Sequence, residues 1–237
     1  MTTETDSSSI PRSASIAASA QRVRLRDGAV VDVHPIRPAD GERLRHFHAR
    51  LSPLSIQMRY FHAVPSLPEA VVAAFLCIDA VNRMTLVATV DDDAQVTSRW
   101  EIVGMVNCDR ISPNAAEIAF LVEDAWQGRG VASILLYDAA TWAHECGFRR
   151  FLAITLRRNH RMLNMLRHCG FPCTLHDVVG DEEVEVWLDI TAPPLCPLAR
   201  SRQETIWAMD VDFMSKPEST YPITRGLAVC AIHDADA

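Results

Sequence analysis

The chain has 237 residues, enough for one sizeable core or two small ones, and its 49% hydrophobic and 22% charged residues with a mean hydropathy of +0.03 exclude a largely disordered chain or a membrane protein by composition. With 30 acidic against 23 basic residues the formal charge is −7, which argues against a nucleic-acid binder held by phosphate neutralisation and suits a cationic substrate or partner. Apolar runs such as residues 69–78 are about half the roughly 20 residues a bilayer span needs, and 7 scattered cysteines, an odd number, point to reduced thiols in a cytoplasm.

Residues 1–22 begin with a Ser-, Thr- and Ala-rich stretch carrying Glu4 and Asp6 and no apolar signal core, and read as a disordered, solvated tail. Structure is expected from Val23, with a hairpin turn at Asp27-Gly28 and a strand through His34, ended by Pro35-Ile-Arg-Pro38. Asp40 can cap a helix with Leu44, Phe47 and Leu51 inward, closed by Ser52-Pro53. A second helix starts near Pro68 with Val71, Val72, Phe75 and Leu76 inward. Met84 to Val90 and Glu101 to Asp109 read as strands joined by a polar loop containing Asp91, Asp92 and Asp93.

The centre alternates. Ala115 to Glu123 is a strand, Gly128 to Glu145 a helix packing on Val131, Ile134, Leu135, Trp142 and Cys146, Phe151 to Leu156 a strand, and Asn159 to Cys169 a helix with Met162, Met165, Leu166 and Cys169 on one stripe. Gly170 stops that helix, and short strands follow around Cys173 to Val178 and Glu183 to Ile190, separated by Gly180-Asp-Glu. The pattern is α/β with some parallel pairing. Pro193, Pro194 and Pro197 then mark a linker, and residues 191–237 read as a C-terminal extension without assigned role, leaving residues 23–190 as the domain.

The segment from Ala116 to Ala132 carries the chemistry. A strand runs through a short loop into a helix with Gly128 and Gly130 at its entrance, so unpaired helix amides converge on one spot that attracts anions. A Walker loop needs Gly-Lys-Ser/Thr, which is absent, and the dinucleotide fingerprint G-x-G-x-x-G is not met by Gly128-Arg-Gly-Val-Ala-Ser133. Gln127-x-x-Gly130-x-Ala132 instead resembles the acetyl-CoA motif of the GNAT acetyltransferase superfamily, and Asn159-x-x-Met162 followed by Gly170-Phe171 resembles the family segment that flanks the pantetheine arm. Within the superfamily, Leu25-Arg-Asp-Gly, Pro35-Ile-Arg-Pro-Ala-Asp40, Leu51-Ser-Pro and Arg59-Tyr-Phe61 most resemble bacterial protein lysine acetyltransferase domains of the Pat type.

The resemblance implies a mixed, twisted sheet whose strands at 115–123 and 150–156 splay apart around acetyl-CoA. Backbone amides of Gln127, Gly128, Arg129, Gly130, Val131 and Ala132 would hold the pyrophosphate, Leu121 and Val122 the pantetheine, with Asn159 and Met162 beside it. The Leu121 amide would polarise the thioester carbonyl. Glu117 shares strand parity with Leu121 and is the expected general base for direct attack of a lysine amine, which arrives mostly protonated. A protein acceptor such as an acyl-CoA synthetase follows from the Pat-type likeness, with no nucleic acid and no membrane partner. Longer relatives carry a fused regulatory domain, so control here is expected from a separate molecule or the tail. Many family members place a Tyr where this chain has Leu166, so no protein acid is assigned to the leaving thiolate, and Tyr137 is a poor substitute.

Plain structural roles stand beside these. Asn159 can be only a helix cap, Glu117 an ordinary strand residue with Glu101 and Glu123 as spare bases, and Arg129, Arg157, Arg158 and Arg161 surface charges, of which Arg129 is the favoured phosphate contact. His168, Cys169, Cys173 and His176 have a metal-like spacing that crosses a helix end, so no metal is expected. A small-molecule amine acceptor, or a catalytically silent acyl-CoA-binding regulatory module, are the alternative functions.

Overall fold

In the computed structural model, which describes residues 19–79, 81–92, 99–177, 182–192 and 203–206, the chain opens on a hairpin between β1 (Ser19–Arg24) and β2 (Val30–Pro35). Gly28 takes φ 90°, the Leu25 amide donates to the Ala29 carbonyl at 2.7 Å, and the Asp27 carboxylate accepts from the Ala29 amide at 3.1 Å, which is why Asp-Gly turns the chain here. β1 starts before the expected Val23. Its first residues are paired on both sides, Gln21 with Val33 of β2 and with Glu204 of the short strand β9 (Gln203–Ile206). The remaining tail, residues 1–18, and most of the expected C-terminal extension lie outside the described residues.

Three helices follow: α1 (Gly41–Ala49), α2 (Pro53–Tyr60) and α3 (Glu69–Leu76). The sequence does not announce α2, because Ser52-Pro53 reads as a stop. Here it is a start: Ser52 is the N-cap, its hydroxyl accepting from the Ser55 amide at 3.2 Å, and Pro53 sits in the first turn, where its missing N–H costs nothing. Strands β3 (Arg83–Asp92), β4 (Arg99–Ser112) and β5 (Ala115–Val122) form an antiparallel meander, with Asp91 and Asp92 in the strand rather than in the loop; residues 93–98 are outside the described set. Helix α4 (Val131–Glu145), β6 (Arg150–Leu156), α5 (His160–Arg167), β7 (Cys173–Asp177) and β8 (Glu183–Asp189) complete the unit; the Gly180-Asp181 separator is not described.

The sheet order is β7-β8-β6-β5-β4-β3-β2-β1-β9. Among the described residues β5 and β6 form the one parallel pair, and it has only three rungs: Ala115 with Arg150, Ala116 with Phe151, Glu117 with Leu152. Beyond Glu117 the two strands separate while each keeps its antiparallel partner, β5 as far as Gly104 opposite Val122 and β6 as far as Leu156 opposite Glu183. The result is a gap in the middle of a mixed sheet.

Each face is covered. Helices α1 to α3 bury Leu44, Phe47, Tyr60, Val71 and Phe75 against Val87, Ile102, Met105 and Leu121. On the other face Ile134, Leu135 and Trp142 of α4 and Leu163 and Leu166 of α5 pack with Val103, Ile118, Phe120 and Phe151. Full burial of each such side chain stabilises the fold by about 1.5–3 kcal/mol. The expected stripe around α5 packs inward, Leu166 and Cys169 buried and Met162 and Met165 half-buried against the core beside the gap, and Leu163 is buried with them.

Candidate active site

The gap is the floor of a cleft of about 1520 Å³, lined by residues 117–122 of β5, 153–155 of β6, the loop after β5, and the near sides of α4 and α5. That exceeds the roughly 300–1,000 Å³ typical of drug-sized ligands and admits an extended one. Helix α2 lines the same cleft with Leu54, Met58 and Phe61 at i, i+4 and i+7; Phe61 ends the helix at φ 67°.

The loop from β5 to α4 is built to leave donors open. Its Asp124–Trp126 turn ends at Gln127, and Gly128 and Gly130 follow at φ 77° and 103°. A Cβ on Gly128 would meet no protein atom within 4 Å, so the backbone angle, not crowding, requires glycine there. Helix α4 has Gly130 as N-cap without a side-chain cap and no acidic residue in its first turn. Its first hydrogen bond runs from the Ile134 amide to the Gly130 carbonyl at 3.1 Å, leaving the amides of Val131, Ala132 and Ser133 directed out of the helix end. An anion is the natural partner of such an end.

Gln127 is a clasp. Its side-chain amide donates to the Val122 carbonyl at 3.0 Å and the Ser55 hydroxyl at 2.9 Å, its oxygen accepts from Arg161 at 2.6 Å, and its own backbone amide is turned to Asp124 at 3.3 Å. It is therefore removed from the set of expected pyrophosphate amides. Asp124 completes the tie by accepting from the Ser52 amide and from the Ser52 and Ser55 hydroxyls at 2.7–2.9 Å. Burial acts to raise its carboxyl, but these bonds outweigh it and hold the group below the usual carboxylate value. The loop and α2 thus form one hydrogen-bonded unit.

The register corrects the role expected of the Leu121 amide. Glu123 donates to the Val103 carbonyl at 2.9 Å, which makes every second residue back along β5 a hydrogen-bonded partner of β4. Leu121 opposite Met105 therefore spends its N–H and C=O on β4, and its side chain is buried among the residues under α1 to α3. The main-chain groups facing the gap belong to Phe120 and Val122, with the Val122 carbonyl already taken by Gln127. The Phe120 main chain thus opens onto the gap, which strand alternation would have shown only once the pairing to β4 was known.

Glu117 stands where the gap closes, half-buried and lining the cleft. Its cross-strand neighbour on β4 is Asp109, which accepts from Asn107 at 3.2 Å, while Asn107 accepts from Arg59 of α2 at 2.9 Å. The spare candidates are both ion-paired: Arg50 bridges Glu101 at 3.4 Å and Glu123 at 3.1 Å. Asn159 caps α5, its side-chain oxygen accepting from the Met162 amide at 3.2 Å, and both residues line the cleft. Leu166 is fully buried, and the Tyr137 hydroxyl donates to the Cys169 carbonyl at 2.7 Å. Arg157 and Arg158 pair with Asp177 at 2.7 Å and Glu182 at 3.7 Å. The Cys169 thiol donates to the Leu166 carbonyl at 2.9 Å, His168 meets the Asn164 carbonyl at 2.8 Å, and among the described residues no cluster of three metal-ligating side chains forms. Burial pushes the Cys146 thiol up to about 11, consistent with a packing role.

The profile of the acetyltransferase (GNAT) family matches residues 55–171, which run from α2 to Phe171 and contain the loop. The crystal structure of the GNAT domain of S. lividans PAT superimposes with a TM-score of 0.64 at 36% identity, covering 72% of this chain and 96% of that one. This chain belongs to the GNAT acetyltransferase family. As a GNAT protein it is an acyl-CoA-dependent N-acetyltransferase, and the splayed strands and glycine-opened helix are the family's fold realised in this sequence. An acetyltransferase of Pseudomonas aeruginosa is 27% identical over 147 residues, 62% of this chain and 77% of that protein. The acetyltransferase Pat of Mycolicibacterium smegmatis is 28% identical over 150 residues, but this GNAT chain spans only 43% of its length. A cAMP-binding acyltransferase from Mycobacterium smegmatis shares the fold at a TM-score of 0.52 and 22% identity, over 81% of this chain and 52% of that one.

Proposed function

We propose that this enzyme transfers an acetyl group from acetyl-CoA to the side-chain amine of a protein lysine by direct attack in a ternary complex, with Glu117 as general base. The observation that carries the reading is the position of Glu117 at the closed end of the gap, opposite in the cleft to the amides that open α4. The amides of Gly130 to Ser133 receive the diphosphate, and the arm lies along β5 on the main chain of Val122 and Phe120. From Val122 to Glu117 is about 17 Å of strand at roughly 3.4 Å per residue, so a thioester carried on an arm laid there is delivered to the carboxylate. Glu117 takes a proton from the lysine ammonium; the free amine attacks the thioester carbonyl; as the C–S bond breaks, the attacking nitrogen gives up its second proton to water and water protonates the departing CoA thiolate, since Leu166 offers no acid.

The Pat-type likeness of the segments at 25–40 and 51–61 supports a protein acceptor, of which an acyl-CoA synthetase is the expected example. The test is mass spectrometry of the enzyme incubated with isotopically labelled acetyl-CoA and a cell lysate. New acetyl-lysines support the proposal. Labelled small amines alone transfer the activity to the metabolite class, and tight binding without transfer makes the protein a silent acyl-CoA module. Glu117→Gln should lower kcat/KM by about 10²- to 10⁴-fold with the KM for acetyl-CoA retained; an unchanged rate removes Glu117 from the mechanism.

A further inference from the structure

Arg129 is the cation that the sequence assigns to the coenzyme phosphates, yet its guanidinium is already occupied twice. It pairs with Asp27 at the tip of the β1–β2 hairpin, and its Cζ lies over the Trp126 ring, 4.0 Å from the centroid. Its side chain is not part of the cleft lining. Arg26, next to Asp27 on the hairpin, does line the cleft together with Gly128 and Gly130, is exposed, and makes no hydrogen bond or ion pair among the described residues.

We propose that Arg26 is the side chain that contacts the phosphates of the acyl-CoA donor, and that the Asp27–Arg129 ion pair positions it by fastening the hairpin to the phosphate loop. This rests on the acetyl-CoA reading above. The chemistry favours the exchange of roles. A diphosphate over the α4 terminus needs a cation that is free to reach it, and a guanidinium presents a planar fork matched to two phosphate oxygens. Arg129 also cancels the Asp27 charge, which would otherwise repel the ligand at the same spot. The hairpin is stiff enough to hold the position: Arg24 donates to the Gly28 carbonyl at 3.0 Å, and the Leu25 amide closes the turn.

The test compares full-length wild type, Arg26→Ala, Arg26→Lys, Asp27→Ala and the Arg26→Ala/Asp27→Ala pair, titrated with acetyl-CoA by calorimetry and with acetyl-pantetheine, which lacks the phosphates, by NMR. Arg45→Ala on α1 serves as the control for an equal change in net charge. Arg26→Ala should weaken acetyl-CoA binding by about 5- to 30-fold and leave acetyl-pantetheine unaffected, with Arg26→Lys intermediate. Asp27→Ala should weaken acetyl-CoA several-fold, and the double variant should be no weaker than Arg26→Ala, because Asp27 acts through Arg26. Unchanged acetyl-CoA binding by Arg26→Ala, an equal loss with Arg45→Ala, or a parallel loss of acetyl-pantetheine overturns the proposal. Wild type that ignores acetyl-CoA altogether overturns the reading beneath it.

Discussion

Gly104 lies on β4 opposite Val122, directly beneath the start of α4, and adding one methyl group there should move the coenzyme site. A Cβ at this position would sit 2.7 Å from Val131 Cγ1, 3.4 Å from Leu135 Cδ1 and 3.5 Å from the Leu121 carbonyl. Carbon atoms prefer about 3.5–4.0 Å, so roughly 1 Å of overlap has to be relieved. Val131 cannot readily rotate away, since a β-branched side chain in a helix has one strongly preferred rotamer. The relief therefore comes from displacement of the first turn of α4, whose amides face the cleft. Overpacking of this kind costs about 1–3 kcal/mol, equivalent to a Tm lower by roughly 2–4 °C per kcal/mol for a chain of this size. Gly104→Ala should show that loss in thermal unfolding together with a raised KM for acetyl-CoA. Val131→Ala removes the clashing methyl, so the double variant should be less destabilised than the sum of the single variants by about 1 kcal/mol or more. If Gly104→Ala keeps both Tm and KM, or the double variant is simply additive, the claim that this close approach sets the height of the helix is wrong.

Gln127→Ala removes three side-chain hydrogen bonds that join the loop to β5, α2 and α5; it should lose about 1–3 kcal/mol in urea unfolding and raise the acetyl-CoA KM more than it lowers kcat. Asp124→Asn tests the same tie from the other side: because the Asp124 carboxyl is held below its usual value, its contribution is present above about pH 4 and lost as pH falls through the folded value, so the variant should be less stable at pH 7 and show a shallower decline in acid. Burial pushes His34 and His48 below the ordinary histidine value, so the unfolded chain binds protons first as pH drops from about 6.5. Stability should therefore fall between pH 7 and 5, by at most about 1.4 kcal/mol per pH unit for each histidine, and unfolding at pH 6 should take up protons in calorimetry run in two buffers; a flat profile with no uptake contradicts that assignment.

The parts legible in the sequence were those with local causes. Asp27-Gly28 dictates its turn through a positive φ and an aspartate bond to the next amide but one, and Gly128 and Gly130 mark an uncapped helix start regardless of the rest of the chain. What stayed hidden depends on partners distant in sequence. Ser52-Pro53 serves equally to end one helix or begin another, and only the packing of Ile56 and Tyr60 under the sheet decides. Residue parity placed Glu117 and Leu121 on one face, but the direction of the Leu121 amide is fixed by its pairing with Met105, some 16 positions away in the chain. The pairing of Arg129 was hidden for the same reason: Asp27, its partner, is 102 residues earlier. Around α5 the stripe was read correctly, with Leu166 and Cys169 buried and Met162 and Met165 packed half-buried against the core, and only the burial of Leu163 went unread.

The three rungs that hold β5 to β6 leave two strand edges inside the molecule, facing each other across empty space rather than out toward other chains. Unsatisfied edges are ordinarily a hazard for self-association, and here the hazard is internalised. A thioester arm laid along β5, as proposed above, would take the place of the missing strand. An acyl donor bound in that cleft stabilises the native state by mass action, so thermal unfolding should move to higher temperature as donor concentration rises.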